Sequence, residues 1–362
     1  MLFNVQRPKS LFIFVHRMNN LLLSNIKIYL TMLLVMVVTV LLSGCGQDKL
    51  PATKGSLIVF GTYVEIIVYD KDTQSATKAI AQVEDTFKVM HKEWHAWEKG
   101  GIVSKIDQAI KKQEPIEVAK SVKDFIVKSQ QLSQESQGLF DPGIGSLIGL
   151  WGFHSEEWKG PPPSSQKIQA WLQSRPSIAD ISFKGNVLTS SNKDVRLDFG
   201  GNAKGLAIDI ALATLEKAGV KNALVSIGGD MKVIGNKNHQ PWSIGIEDPK
   251  NPQAAIAQIS LNSGESIVTS GTYQRYFDWK GQRYSHILDP NTGYPAESFS
   301  SVTVIHPDAI TADSAATALL IAGPKKWQSI AKSMGVTQVF CIDQAGKMYQ
   351  TPTMAKRIKL LQ

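Results

Sequence analysis

The 362-residue chain is 43% apolar and 19% charged, an ordinary balance for a folded protein with a sizeable core. Its formal charge of +8 is lopsided: residues 1–44 carry Arg7, Lys9, Arg17 and Lys27 and no acid, so the charge without them is +4. That excess gives little support to a nucleic-acid binder, and two cysteines allow neither a disulfide framework nor a cysteine zinc site.

Residues 28–44 (IYLTMLLVMVVTVLLSG) form an apolar run after Lys27, the pattern of a secretory signal. The run ends Leu42-Ser43-Gly44-Cys45, which resembles a bacterial lipobox and would make Cys45 the lipidated mature N-terminus; the other reading is a plain membrane anchor ending in cysteine. The expected organisation is a signal over residues 1–44, a tether over 45–56 and a single catalytic unit over 57–362. Residues 57–69 are β-branched and aromatic around Gly61, a strand pair or bulged strand. Ala76, Ile80, Val83, Phe87 and Met90 predict a helix from Thr73 to about Trp94, with Thr73 as N-cap. Residues 102–110 and 121–137 read as amphipathic helices, the second capped by Ser121, and 164–174 as a short helix.

Residues 138–153 (GLFDPGIGSLIGLWGF) hold glycines at a density that permits tight turns or close backbone approach to a ligand. A hairpin follows around Gly185-Asn186. In 195–209 (VRLDFGGNAKGLAID) a short strand runs through a glycine turn into a helix that starts near Asn202 and reaches about Ala218. Such a turn offers backbone N–H groups and a positive helix end to an anion, though it equally suits a tight connection. Residues 222–235 read as two strands around Gly228-Gly229-Asp230. Short strands at 242–248, 255–261, 265–270 and 282–288, helices at 311–320 and 325–334, and strands near 337–342 and 347–350 complete the chain. Without regular β–α alternation the class is α+β, with a largely antiparallel or mixed sheet and packed helices.

The densest chemistry lies between Thr269 and Leu320. Ser285, His286 and Asp289 adjoin the turn Asp289-Pro290-Asn291-Thr292-Gly293. Asp313 and Thr317 stand four apart, which on a helix puts a carboxylate and a hydroxyl on one face. Oxygen donors of that kind suit a hard cation such as Mg²⁺ or Mn²⁺. His286 is the best proton-transfer candidate, because histidine titrates near neutral pH.

Five blocks (FGTYVEI, FDPGIGSLIGLWGF, LDFGGNAKGLAID, LVSIGGD and TSGTYQRYF…YSHILDPNTGYP…TADSAAT) occur in the order and spacing of the ApbE family, which the chain from Phe60 onward resembles. The resemblance implies a T-fold-related α+β fold and a Mg²⁺-dependent FAD:protein FMN transferase. Such an enzyme moves the FMN half of FAD onto a threonine hydroxyl and releases AMP. It further implies metal ligands at Asp313, Thr317 and the Gly201 carbonyl, and proton transfer by His286 with Asp289 beside it. FAD contacts are implied for Phe60, Trp97, Leu139, Phe140, Asp141, Asp198, Lys204 and Leu288. The implied partner is a threonine-bearing acceptor domain of a membrane redox complex, met by an exported enzyme lipid-anchored on the periplasmic face of the inner membrane. A FAD pyrophosphatase giving FMN and AMP, and a lipid-anchored flavin-binding protein without turnover, are the competing readings.

Overall fold

The computed structural model describes residues 27, 30–33, 49–70, 72–94, 97, 99–155 and 157–361. Two units are distinguished, residues 1–49 and residues 50–362. In the first, Lys27 and 30–33 are helical; the rest of the signal segment, and Cys45 with it, lies outside the described residues.

The second unit opens with a hairpin, β1 (Ala52–Val59) and β2 (Thr62–Tyr69), in which Val59 faces Thr62 across the two-residue turn Phe60-Gly61. Both turn residues have positive φ, 57° and 67°, as a type I′ turn requires. Strand β1 therefore starts within the stretch read as tether. Helix α1 (Thr73–Trp94) follows, and its cap is Asp72 rather than Thr73: the Asp72 carboxylate accepts the Gln74 and Ser75 N–H groups. Next come α2 (Ile102–Lys112), β3 (Ile116–Glu117) and α3 (Lys120–Glu135). The N-cap of α3 is Ala119, with no side-chain bond, so the expected Ser121 cap is not used.

The glycine-rich block folds as a short helix, α4 (Gly145–Trp151), and leads to α5 (Ser165–Ser174), β4 (Ile181–Lys184) and β5 (Val187–Ser190). Then follow α6 (Ala203–Lys217), β6 (Ala223–Ile227), β7 (Asp230–Ile234), β8 (Trp242–Asp248), β9 (Asn251–Leu261), β10 (Ser266–Gly271), β11 (Tyr276–Trp279) and β12 (Gln282–Ser285). Strand β13 (Phe299–His306) and helix α7 (Ala309–Ser333) come next, with a break in the helix at Gly323 (φ 64°, ψ −178°) just before Pro324. The chain closes with β14 (Gln338–Asp343), β15 (Met348–Gln350), α8 (Pro352–Ala355) and β16 (Lys359–Leu360).

An eight-stranded antiparallel sheet in the order β1-β2-β6-β7-β10-β13-β14-β15 is the frame. Helices α1 and α6 bury Phe87, Ile80, Ile208 and Leu212 against β2 and β6. Helix α7 lays Ala312, Ala316, Leu319 and Leu320 on Val268, Val302 and Val304. A three-stranded sheet, β16-β9-β8, packs Trp242, Ile244 and Ile259 with Leu224, Ile267 and Phe340 of the frame. Sandwiched this way, β13 is buried along nearly its whole length, and Cys341 is a buried free thiol in β14.

Candidate active site

Two helix starts meet at the centre of the site. An added Cβ at Gly205 would lie 2.4 Å from the Ala309 carbonyl oxygen, so only glycine lets α6 cross α7 this closely. The crossing allows the Gly205 N–H to donate to Asp313 Oδ2 at 3.0 Å. It also brings the neighbouring Lys204 ammonium onto Asp230, with Asp313 Oδ1 3.9 Å away. Asp230, at the head of β7, is itself held by the Thr269 N–H at 3.0 Å. Burial alone would depress the Lys204 pKa, but the carboxylates of Asp230 and Asp313 outweigh it and raise it. Burial raises Asp313, against the pull of the Lys204 charge.

One turn along α7, Thr317 Oγ1 lies 3.2 Å from Ser270 Oγ. A Cβ on Gly201 would stand 3.5 Å from the same hydroxyl and 3.2 Å from the Phe140 ring, so the Gly201 backbone adjoins Thr317. The three expected metal donors are thus drawn from two converging segments. Among the described residues no group of three or more His, Cys, Asp and Glu side chains could hold a metal. A carboxylate, a hydroxyl and a backbone carbonyl form a different kind of set, all hard oxygens, with Asp313 Oδ2 tied to a backbone N–H and Oδ1 left to ionic partners. That set fits Mg²⁺ or Mn²⁺.

His286 follows the end of β12, and both its backbone N–H and its Nδ1 lie on the Arg275 carbonyl oxygen, at 3.0 and 3.1 Å. A carbonyl only accepts, so Nδ1 carries the proton and Nε2 keeps its lone pair. Burial, then the Arg275 and Lys204 charges, push the imidazole down to about 4, leaving it neutral at physiological pH. The Phe153 ring meets it edge-on at 6.4 Å. Asp289 shapes the adjoining turn: its carboxylate accepts the Asn291 N–H at 2.8 Å and its carbonyl accepts the Gly293 N–H. Ser285 Oγ is buried with no hydrogen-bond partner.

Asp198 is a junction, its Oδ1 taking the Gly200 N–H at 2.8 Å and its Oδ2 the Trp97 indole N–H at 2.9 Å. The ring stacking expected of Trp97 toward a ligand is made here by Arg196, whose guanidinium lies 3.5 Å from the indole centroid, with His154 also against the ring. Asp141 is spent inside the protein: Oδ1 accepts the Gly143 and Ile178 N–H groups and Oδ2 the Ser177 hydroxyl. Its bonds tie the 141–143 turn to 177–178. Phe140 is buried beside Gly201, and Leu139 packs on the α7 core. Leu288 is buried among Ile144, Leu147 and Trp151 and bridges Pro295. Phe60 is half-buried at the hairpin tip against Phe87 and His91.

Sequence reasoning gave no role to Asp230, Ser270, Arg275 or Arg196. Asp230 carried the clearest signal, an acid directly after a glycine pair; the others act through a hydroxyl, a backbone carbonyl and a ring face, which leave no spacing pattern.

The ApbE family model matches residues 60–340. The chain is 35% identical over 312 residues to the FAD:protein FMN transferase of Rhodobacter capsulatus, covering 86% of this chain but only 59% of that protein's length. It is 28% identical over 324 residues to the FAD:protein FMN transferase of Klebsiella pneumoniae (strain 342), covering 86% and 92% of the two chains. The crystal structure of the ApbE protein from Thermotoga maritima matches with a TM-score of 0.77 at 30% identity, over 84% of this chain and 99% of that one. The apo flavinyl transferase ApbE of Pseudomonas stutzeri gives 0.74 at 28% identity, over 86% and 98%. With a family model spanning most of the chain and these relatives aligned across the site, the chain belongs to the ApbE family.

Proposed function

We propose that this chain transfers the FMN half of FAD to a threonine hydroxyl of an acceptor protein and releases AMP. The observation that carries the reading is His286, a neutral imidazole with its N–H spent on Arg275 and its basic nitrogen left over, within the electrostatic reach of Lys204. The threonine oxygen attacks the phosphorus on the FMN side, and the P–O bond to the AMP phosphate breaks. His286 Nε2 takes the hydroxyl proton, and the AMP phosphate leaves with the bond's electron pair. The Lys204 ammonium lies where it can offset phosphoryl charge, and binding of that anion raises the His286 pKa toward a useful range by masking the positive neighbours. Asp313, Thr317 and the Gly201 carbonyl would hold Mg²⁺ or Mn²⁺, which supplies charge neutralisation on the phosphoryl oxygens. Phe153, against His286, and Trp158, under Arg275, shield this edge from water, the competing nucleophile.

The signal segment and Cys45 support a lipid-anchored, exported enzyme; the family resemblance supports the periplasmic face of the inner membrane, with an acceptor domain in a membrane redox complex. The test is chromatography of AMP and FMN after incubating residues 47–362 with FAD, Mg²⁺ and a threonine-bearing acceptor domain. Transfer predicts AMP without free FMN, and loss of both AMP and adduct in His286→Ala and Asp313→Ala. Free FMN equal to AMP indicates a pyrophosphatase, and intact FAD a storage protein; either outcome overturns the proposal.

A further inference from the structure

The Lys204 ammonium occupies the position of a resident counter-cation. It is bound to Asp230 and stands 3.9 Å from Asp313 Oδ1, the oxygen left to a metal once Oδ2 has taken the Gly205 N–H. Asp230 and Asp313 are almost fully removed from water, and Lys204 is half-buried, its side chain 32% exposed. A divalent ion on Asp313 would therefore sit within a few ångströms of a fixed positive charge, in a medium where such repulsion is poorly screened. An anion such as a pyrophosphate bound beside that metal would attract both cations at once.

From this we infer that Lys204 couples the two ligands: it weakens metal binding to the empty site and makes the metal bind tightly only together with the pyrophosphate. The inference rests on the proposed metal site. The partners of Lys204 are Asp230, Asp313 and the substrate anion. By reciprocity the metal strengthens FAD binding by the same factor.

The test is calorimetric titration of Mg²⁺ into the intact protein, alone and saturated with FAD in the absence of acceptor. The wild type is expected to bind Mg²⁺ at least about tenfold more tightly with FAD present, within the usual range of such couplings. Lys204→Met is expected to bind Mg²⁺ about tenfold more tightly than wild type without FAD, and to show less than about threefold enhancement with it. Because that change leaves two buried acids unpaired, Lys204→Met/Asp230→Asn is measured alongside; it removes the extra negative charge and is expected to show the same loss of enhancement. Wild-type coupling persisting in both variants overturns the role of Lys204 while leaving the metal site intact. No Mg²⁺ binding to wild type in either condition overturns the metal site, and the coupling with it.

Discussion

Asp141 separates a wall-building role from a ligand-binding one. Its buried carboxylate accepts from the Gly143 N–H at 2.7 Å, the Ile178 N–H at 2.9 Å and the Ser177 hydroxyl at 2.5 Å. Asp141→Ala leaves two backbone N–H groups and a hydroxyl without their acceptor. Hydrogen bonds to a charged group are worth about 1.5–3 kcal/mol each, but burial already disfavours this carboxylate's charge, so the sum is discounted to ~4 kcal/mol. For a unit of residues 50–362, that corresponds to a fall in Tm of about 6 °C, from the usual unfolding entropy per residue. Asp141→Asn keeps Oδ1 for both backbone donors and offers its amide to the Ser177 oxygen, so it is expected to cost ~1 kcal/mol. Urea denaturation monitored by tryptophan fluorescence, with FAD absent, measures both. A loss under 1 kcal/mol in Asp141→Ala, or equal losses in the two variants, refutes the reasoning, because three bonds would then be contributing nothing to the fold.

Three further outcomes are expected. His286 has a folded pKa of about 4, below the ~6.5 of an unfolded histidine, so the stability from keeping it neutral is complete above about pH 6.5 and is lost as pH falls toward 4. Urea midpoints at pH 7 and pH 5 should therefore converge in His286→Gln relative to wild type, and kcat/KM should show no acid limb near 6.5. Gly205→Ala drives a methyl into the Ala309 carbonyl, so it is expected to cost about 1–3 kcal/mol in a denaturant melt and to weaken Mg²⁺ binding by parting α6 from α7. Cys45→Ser is expected to move the expressed protein from the membrane fraction to the soluble fraction; unchanged fractionation would count against lipid anchoring.

Much of this architecture was legible because it rests on local periodicity and turn chemistry. The helices at 73–94 and 102–112, the hairpin at Gly185-Asn186 and the paired strands around Gly228-Gly229 all follow rules that act within a dozen residues. Strand β13 was not read, because buried on both faces it has no alternation and precedes a helix rich in alanine. At the site, the four-residue spacing of Asp313 and Thr317 on one helix could be read, since helix α7 spans both. The turn bonds of Asp289 and Asp141 could not be read, because an acid's backbone N–H partners leave no spacing pattern until those groups are placed. The Arg196–Trp97 stack and the Lys204–Asp230 pair join residues 99 and 26 positions apart, beyond any local pattern.

The most direct measurement is the intact mass of a threonine-bearing acceptor domain after incubation with the enzyme, FAD and Mg²⁺, followed by peptide mapping of the modified residue. The account predicts a gain equal to FMN less water, carried by that threonine, and absent with His286→Ala, Asp313→Ala or added chelator. An acceptor of unchanged mass, in a reaction where FAD has been split to FMN and AMP, would contradict it.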